Sequence, residues 1–182
     1  MKNTILILAL ALAATLAAGA DKFHGTQGSV VSVQGTSTLH EWKMESAKIS
    51  GSIDSPAKAI VIIPVASLKS EHAKMDKLMA EALKADKNPE IRYEMTSVTP
   101  TNPGGDAFVL KTQGRLTIAG VTRDVAFDVQ GSRNPDGRYT LAGTTPIRMT
   151  QYGIKPPTAM MGTIKTGDDV TVTFRWVVEK AQ

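Results

Sequence analysis

The sequence predicts an all-β protein, an antiparallel barrel of roughly eight or nine strands with one inserted amphipathic helix. Apolar and polar residues alternate through most of the chain, most clearly over residues 170–178. Short segments rich in Gly, Pro, Asn and Asp separate these runs, and only one segment has a helical period. A single sheet of this size, with one buried face per strand, closes on itself and so removes its exposed edges.

The start of the chain has the layout of a secretory signal peptide. Lys2 gives a basic start, residues 5–18 are apolar, and a small-residue pattern ends at Ala20. A membrane anchor is the weaker interpretation, because the run is short for a bilayer and no cysteine follows to carry lipid. We therefore expect a periplasmic or secreted protein that is cleaved after Ala20. The expected organisation is a signal peptide over residues 1–20, a mobile leader over 21–27 and one barrel domain over 28–182.

The composition excludes several classes of site and partner. The chain has no cysteine, so the core holds without disulfides, and thiol catalysis and zinc–thiolate sites are excluded. The net charge of +4 comes from interspersed charges, which does not indicate a nucleic-acid partner. A pI near 9.3 is compatible with a transient contact with an anionic lipid surface. The simpler interpretation is a solvated surface of mixed charge. A second copy of the chain, in a homodimer, is a further candidate partner.

Residues 110–129 predict one β-hairpin with a two-residue turn at Ala119-Gly120. The opposed pairs on its apolar face are Ile118 with Val121, Leu116 with Arg123, Gly114 with Val125, Thr112 with Phe127 and Leu110 with Val129. The pairs on its other face are Thr117 with Thr122, Arg115 with Asp124, Gln113 with Ala126 and Lys111 with Asp128. We expect the two opposite-charge pairs to interact. Small Gly114 and Thr112 opposite bulky partners indicate either tight packing or space for a ligand.

One helix is expected between Ser70 and Asn88-Pro89. The residues at helical spacing on its apolar side are Met75, Leu78, Met79, Ala82 and Leu83. The methionines are explained most simply by core packing. An adaptable lid over a ligand is the alternative.

The three histidines, His24, His40 and His72, have no metal-ligand spacing, so no metal site is predicted. His40 alternates in phase with Trp42 and is expected to point into the barrel, either as a structural histidine or as a contact to a ligand. The many apolar residues on the strands suit a ligand built of CH₂ and CH₃ groups. Each buried CH₂ contributes about 0.8 kcal/mol. The alternative is a filled barrel without a cavity.

Several segments, in order along the chain, together resemble one family. They are residues 35–42 (GTSTLHEW), 63–70 (IPVASLKS), 89–93 (PEIRY), 116–123 (LTIAGVTR), 152–154 (YGI) and 167–170 (GDDV). With them the chain resembles the YceI-like family of bacterial periplasmic, polyisoprenoid-binding, lipocalin-like barrels. The resemblance implies a tunnel for a long isoprenoid tail, such as a quinone or polyprenyl chain, and no shared catalytic motif. Where the family usually has an aromatic strand end after the helix, this chain has Tyr93 and Met95. Its helix is also rich in methionine.

The favoured function is therefore non-catalytic binding, storage or transport of a linear isoprenoid lipid, with no cofactor besides the bound lipid. The alternative is a barrel enzyme that acts on an apolar substrate, with His40, Glu41 or Tyr152 as acid or base. The residues expected to contact the ligand are Leu110, Leu116, Val125, Phe127, Phe174, Trp176, Trp42, His40, Met75, Met79, Tyr93, Tyr152, Met160 and Met161.

Overall fold

The computed structural model describes residues 22–55, 58–101 and 105–181. The expected signal peptide and its cleavage site lie outside the described residues. The strands in chain order are β1 (Phe23–Gly25), β2 (Val30–Ser37), β3 (Glu41–Ser46), β4 (Ser50–Ser55), β5 (Lys58–Pro64), β6 (Glu90–Pro100), β7 (Ala107–Ile118), β8 (Val121–Arg133), β9 (Tyr139–Arg148), β10 (Thr158–Ala159) and β11 (Ile164–Lys180). The single α-helix of the described chain, α1, is Ala73–Ala82 and lies between β5 and β6. No helix in these ranges is long and apolar enough to cross a bilayer.

Eight strands close an antiparallel barrel, which confirms the predicted fold class. The neighbours run β1-β4-β5-β6-β7-β8-β9-β11, and β1 pairs back onto β11. The β2–β3 hairpin extends from β11, and the short β10 pairs with the start of β11. The β2–β3 turn, the β7–β8 turn and the connection that contains α1 all lie at one end, which we call the helix end.

The leader differs from expectation, because part of it belongs to the barrel. Phe23, His24 and Gly25 form β1 and pair with both β11 and β4. The Phe23 side chain is buried and contacts the Tyr139 ring edge-on at 5.7 Å between centroids. Three residues are too few to produce a recognisable alternation, so the sequence pattern did not reveal this strand.

The β7–β8 hairpin has the predicted register at every position from Leu110–Val129 to Ile118–Val121. Ala119 and Gly120 have φ values of 51° and 82°, as a type I′ turn requires. The two expected ion pairs across the hairpin are absent among the described residues, although the residues do oppose each other. The Arg115 guanidinium instead donates to the Glu94 carboxylate at 2.7 Å, because Glu94 lies directly opposite it on β6.

The connection before α1 is held by Asp76. The Ser70 backbone N–H and the Ser70 hydroxyl both donate to Asp76 Oδ1 at 2.7 Å. These hydrogen bonds, with Lys69 nearby, hold the pKa of Asp76 below its usual value. The helix begins at Ala73, later than the predicted Ser70, because Ser70 is engaged in this local turn.

Five aromatic rings each lie on a glycine of the neighbouring strand. The pairs are Trp42 on Gly35, Tyr93 on Gly114, Phe108 on Gly131, Phe174 on Gly143 and Trp176 on Gly25. A Cβ at any of these glycines would approach the ring within 2.0–2.8 Å, so the rings occupy the space that the missing side chains leave. Rings placed against the wall in this way leave the centre of the barrel free.

Candidate functional site

The barrel encloses an apolar cavity of about 320 Å³, a size at the lower end of ligand pockets. All eight barrel strands, the β2–β3 hairpin, α1 and the turn after β9 contribute to its lining. None of the described lining residues is Asp, Glu, Lys, Arg or His. Burial of a charge without a partner costs free energy, so this interior favours an uncharged ligand made largely of hydrocarbon.

Eight of the residues expected at the site line this cavity. They are Trp42, Met79, Tyr93, Leu110, Leu116, Phe127, Phe174 and Trp176. Most stand on strands whose alternation was evident in the sequence, so their inward orientation follows from strand period. Other residues, such as Val31, Met44 and Leu141, also line the cavity, and each belongs to a segment whose alternation in the sequence indicates an inward side chain.

Six expected residues do not line the cavity. Met75 is half-buried on α1 and packs against the core, whereas Val125 is half-buried on β8 but does not reach the cavity. Tyr152 is buried in the turn after β9, outside the cavity. Met160 and Met161 lie at an exposed turn, with 66% and 105% relative exposure.

His40 is the sixth of these residues, and it is exposed. It lies in the turn between β2 and β3, where strand alternation no longer sets its direction. Its Nδ1–H donates to the backbone carbonyl of Glu41 at 2.6 Å. The inward orientation expected for His40 is therefore wrong.

The acid–base groups of the alternative enzyme do not meet in the structure. His40 and Glu41 are exposed at the β2–β3 turn, and neither they nor Tyr152 line the cavity. Burial raises the pKa of Tyr152, and the charge of Arg123 only partly opposes this. In the described part of the chain, no three His, Asp or Glu side chains lie close enough together to hold a metal ion.

Two polar groups inside the barrel lack a hydrogen-bond partner. The Tyr93 hydroxyl and the Trp176 indole N–H are buried and unpaired, and both side chains line the cavity. Burial raises the pKa of Tyr93, with a smaller opposing effect from the Thr112 hydroxyl, so Tyr93 stays a protonated donor at neutral pH. The Thr112 hydroxyl itself donates to the Phe127 carbonyl at 2.8 Å. Both polar atoms have almost no accessible surface, so they are packed into the wall rather than open to the cavity.

The space opposite Val125 does not belong to a ligand. A side chain at Gly114 would meet the Tyr93 ring at 2.5 Å and the Glu94 carbonyl oxygen at 2.6 Å. Thr112, the second small residue, is buried and hydrogen-bonded. Of the two interpretations of these small residues, tight packing is the correct one.

A second cleft, the side cleft, lies in the barrel wall between β8 and β9. It is lined by Ala126, Phe127, Asp128, Gln130, Ala142, Gly143, Thr144, Thr145, Pro146, Thr173 and Phe174. Phe127, Thr145 and Phe174 line both this cleft and the internal cavity. These three side chains therefore border both the cleft and the cavity.

Among the residues that the structure describes, three large apolar side chains are strongly exposed, and they lie on two adjacent turns at the helix end. They are Leu39, Met160 and Met161. The two turns are joined because Thr38 N–H donates to the Lys165 carbonyl at 3.0 Å, and Lys165 N–H donates to the Thr38 hydroxyl at 3.2 Å. We call these three side chains the apolar tip.

Solved structures with this fold include proteins from three bacteria. BcnA from Burkholderia cenocepacia is 21% identical, with a TM-score of 0.67 over 84% of this chain and 96% of that one. A polyisoprenoid binding domain from Saccharophagus degradans, implicated in plant cell wall breakdown, is 13% identical, with a TM-score of 0.72 over 89% and 99%. The Campylobacter jejuni YceI protein is 23% identical, with a TM-score of 0.56 over 74% and 82%.

At the level of sequence, no curated protein matches the chain. The family model of the YceI-like domain does match it, over residues 15–178, which include nearly all of the barrel. The similar solved structures share the fold described above. The chain therefore belongs to the YceI-like family.

Proposed function

We propose that the protein binds a linear isoprenoid lipid, of the quinone or polyprenyl type, inside the barrel and stores or transports it in the periplasm without catalytic turnover. The observation that carries this proposal is the apolar cavity, whose described lining has no charged side chain. The similarity to a polyisoprenoid binding domain supports the ligand class. No observation favours the enzyme alternative.

The energetics of a hydrocarbon tail fit such an interior. Ten buried methylene-sized groups contribute about 8 kcal/mol, which has to exceed association costs of roughly 4–15 kcal/mol. A longer tail therefore binds more tightly than a short one.

A cavity-filling variant tests the proposal. Leu116→Trp adds volume inside the barrel, whereas Gln113→Trp adds the same side chain on the exposed face of the same strand. We expect Leu116→Trp to weaken uptake of an isoprenoid quinone at least tenfold, and Gln113→Trp to bind like the unaltered protein. The measurement is the quenching of Trp42 and Trp176 fluorescence during titration with the quinone. The fluorescence that the added tryptophan contributes is calibrated in each variant. Equal affinity in both variants would place the ligand outside the barrel.

The proposal includes transient contact with an anionic lipid surface through the apolar tip. Exposed apolar side chains grouped in this way mark a contact surface more often than scattered ones do. Lys155 and Lys165 flank Met160 and Met161, both are exposed, and neither forms an ion pair with any described residue. Such lysines are attracted to anionic headgroups, each contributing about 1 kcal/mol near a surface.

Sedimentation with vesicles tests this contact. We expect the protein to bind vesicles containing phosphatidylglycerol, to bind pure phosphatidylcholine more weakly, and to lose binding in Leu39→Asp/Met161→Asp. Gln113→Asp, on the exposed barrel wall, is the control. Unchanged sedimentation of the double variant would refute the assignment of this surface. Loss of a dimer in size-exclusion chromatography by the same variant would instead assign the apolar tip to a homodimer.

A further inference from the structure

The pairing between β8 and β9 stops halfway along both strands. Their paired residues are Val129–Arg133 of β8 and Tyr139–Gly143 of β9, and the last pair toward the helix end is Val129 with Gly143. Beyond it, residues 121–128 of β8 pair only with β7, and residues 144–148 of β9 pair only with β11. The side cleft lies where these two half-strands separate.

The separation is bounded at both ends, so it is a window rather than a frayed edge. On one side it ends at the Val129–Gly143 pair. On the other side, Arg123 Nε donates to the Gln151 carbonyl at 3.0 Å and ties β8 to the turn after β9. Within the window, Pro146 has no N–H to offer to β8, which disfavours closure of the gap by further strand pairing.

Two phenyl rings fill the window. Phe127 and Phe174 contact each other edge-to-face, with 5.8 Å between centroids, and both are only half-buried. Both also line the internal cavity. The Phe174 ring rests on Gly143, where strand pairing ends. Displacement of these rings would join the cavity to the outside without breaking a strand pair.

We propose that this window is the route by which the apolar tail enters and leaves the cavity, with Phe127 and Phe174 as its gate. The inference rests on the proposed lipid-binding function. A flexible tail can pass a side opening one segment at a time, and side-chain rotation is far faster than opening of a closed barrel. The ends of the barrel then need not open during exchange.

A disulfide across the window tests the route, because the chain has no native cysteine to interfere. Asp128→Cys/Thr144→Cys places two thiols at the first unpaired positions beyond Val129 and Gly143. Thr117→Cys/Thr122→Cys is the control, since these two residues face each other where β7 and β8 pair without interruption and neither lines the side cleft. We expect oxidation of the window pair, but not of the control pair, to slow quinone uptake and release at least tenfold, reversibly upon reduction.

A second pair of variants tests the gate without requiring a disulfide. Phe127→Ala removes a gate ring, whereas Phe108→Ala removes a cavity-lining ring on Gly131, outside the side cleft. We expect Phe127→Ala to accelerate ligand release several-fold more than Phe108→Ala does. Equal release rates in these two variants, or unchanged rates in the oxidised window pair, would overturn the route. A lack of binding by the unaltered protein would instead refute the proposed function itself.

Discussion

The Tyr93 ring shows how single residues shape the interior of this barrel. It lies on Gly114, where a side chain would otherwise fill the wall, and contacts Phe127 at 5.3 Å between centroids. Phe127 in turn contacts Phe174 at 5.8 Å. Aromatic pairs of this kind contribute about 0.5–1.5 kcal/mol beyond the area that they bury. The row of rings thus stabilises the wall that the cavity and the side cleft share.

Substitution of Gly114 tests this packing. In Gly114→Ala the new methyl group meets the Tyr93 ring at 2.5 Å and the Glu94 backbone oxygen at 2.6 Å. The backbone oxygen cannot move without disturbing the β6–β7 ladder, so we expect a loss of stability of about 1–3 kcal/mol. Urea unfolding measures the loss. Tyr93→Leu in the Gly114→Ala background should recover part of it, and an unchanged urea midpoint for Gly114→Ala would contradict the packing.

At the scale of elements, the ion pair of Arg115 joins β7 to β6 rather than to β8. Glu94 accepts from Arg92 at 2.8 Å and from Arg115 at 2.7 Å, and these contacts, that of Arg92 above all, hold the pKa of Glu94 below its usual value. The alternation within a hairpin identifies which residues oppose each other across its own turn. It does not align a third strand, so the competing partner on β6 could not be identified from the sequence.

A double-mutant cycle tests which carboxylate Arg115 contacts. We expect Arg115→Gln and Glu94→Gln to be coupled by about 0.2–1 kcal/mol, the range of exposed ion pairs, and the coupling to fall with salt. The control cycle combines Arg115→Gln with Asp124→Asn and should show no coupling. The interpretation is wrong if Asp124 has the larger coupling energy, measured by urea unfolding.

The two hairpin strands and the last strands illustrate what the sequence can predict. The β7–β8 register was predictable because a two-residue turn and a one-sided apolar pattern demand the same pairing. The local sequence of residues 146–166, with its Pro and Gly residues, indicates irregular structure, and Gly167-Asp-Asp169 indicates a turn. Instead β9 runs to Arg148 and β11 begins at Ile164, with a register shift between Thr166 and Val170. Long-range pairing with β2 and β9 overrides the local turn preference there.

At the scale of the whole molecule, alternation predicted the inward residues of the strands, but not those of the turns. Leu110, Leu116 and Trp176 lie on regular strands and line the cavity. His40 and Met161 lie in turns, where no period fixes the direction of a side chain, and both are exposed. The side cleft was not predictable either, because it depends on where the pairing of two strands stops.

The proposed function requires the barrel to hold an isoprenoid lipid in its apolar cavity. Native mass spectrometry of the protein purified from its own cell envelope, followed by lipid extraction, tests it most directly. We predict a mature chain that begins at Asp21 and carries one copy of an isoprenoid quinone or polyprenol, and we predict that this lipid is absent from the cavity-filled Leu116→Trp variant. A mature protein that emerges ligand-free, and takes up neither quinone nor polyprenol when these are offered, would contradict it.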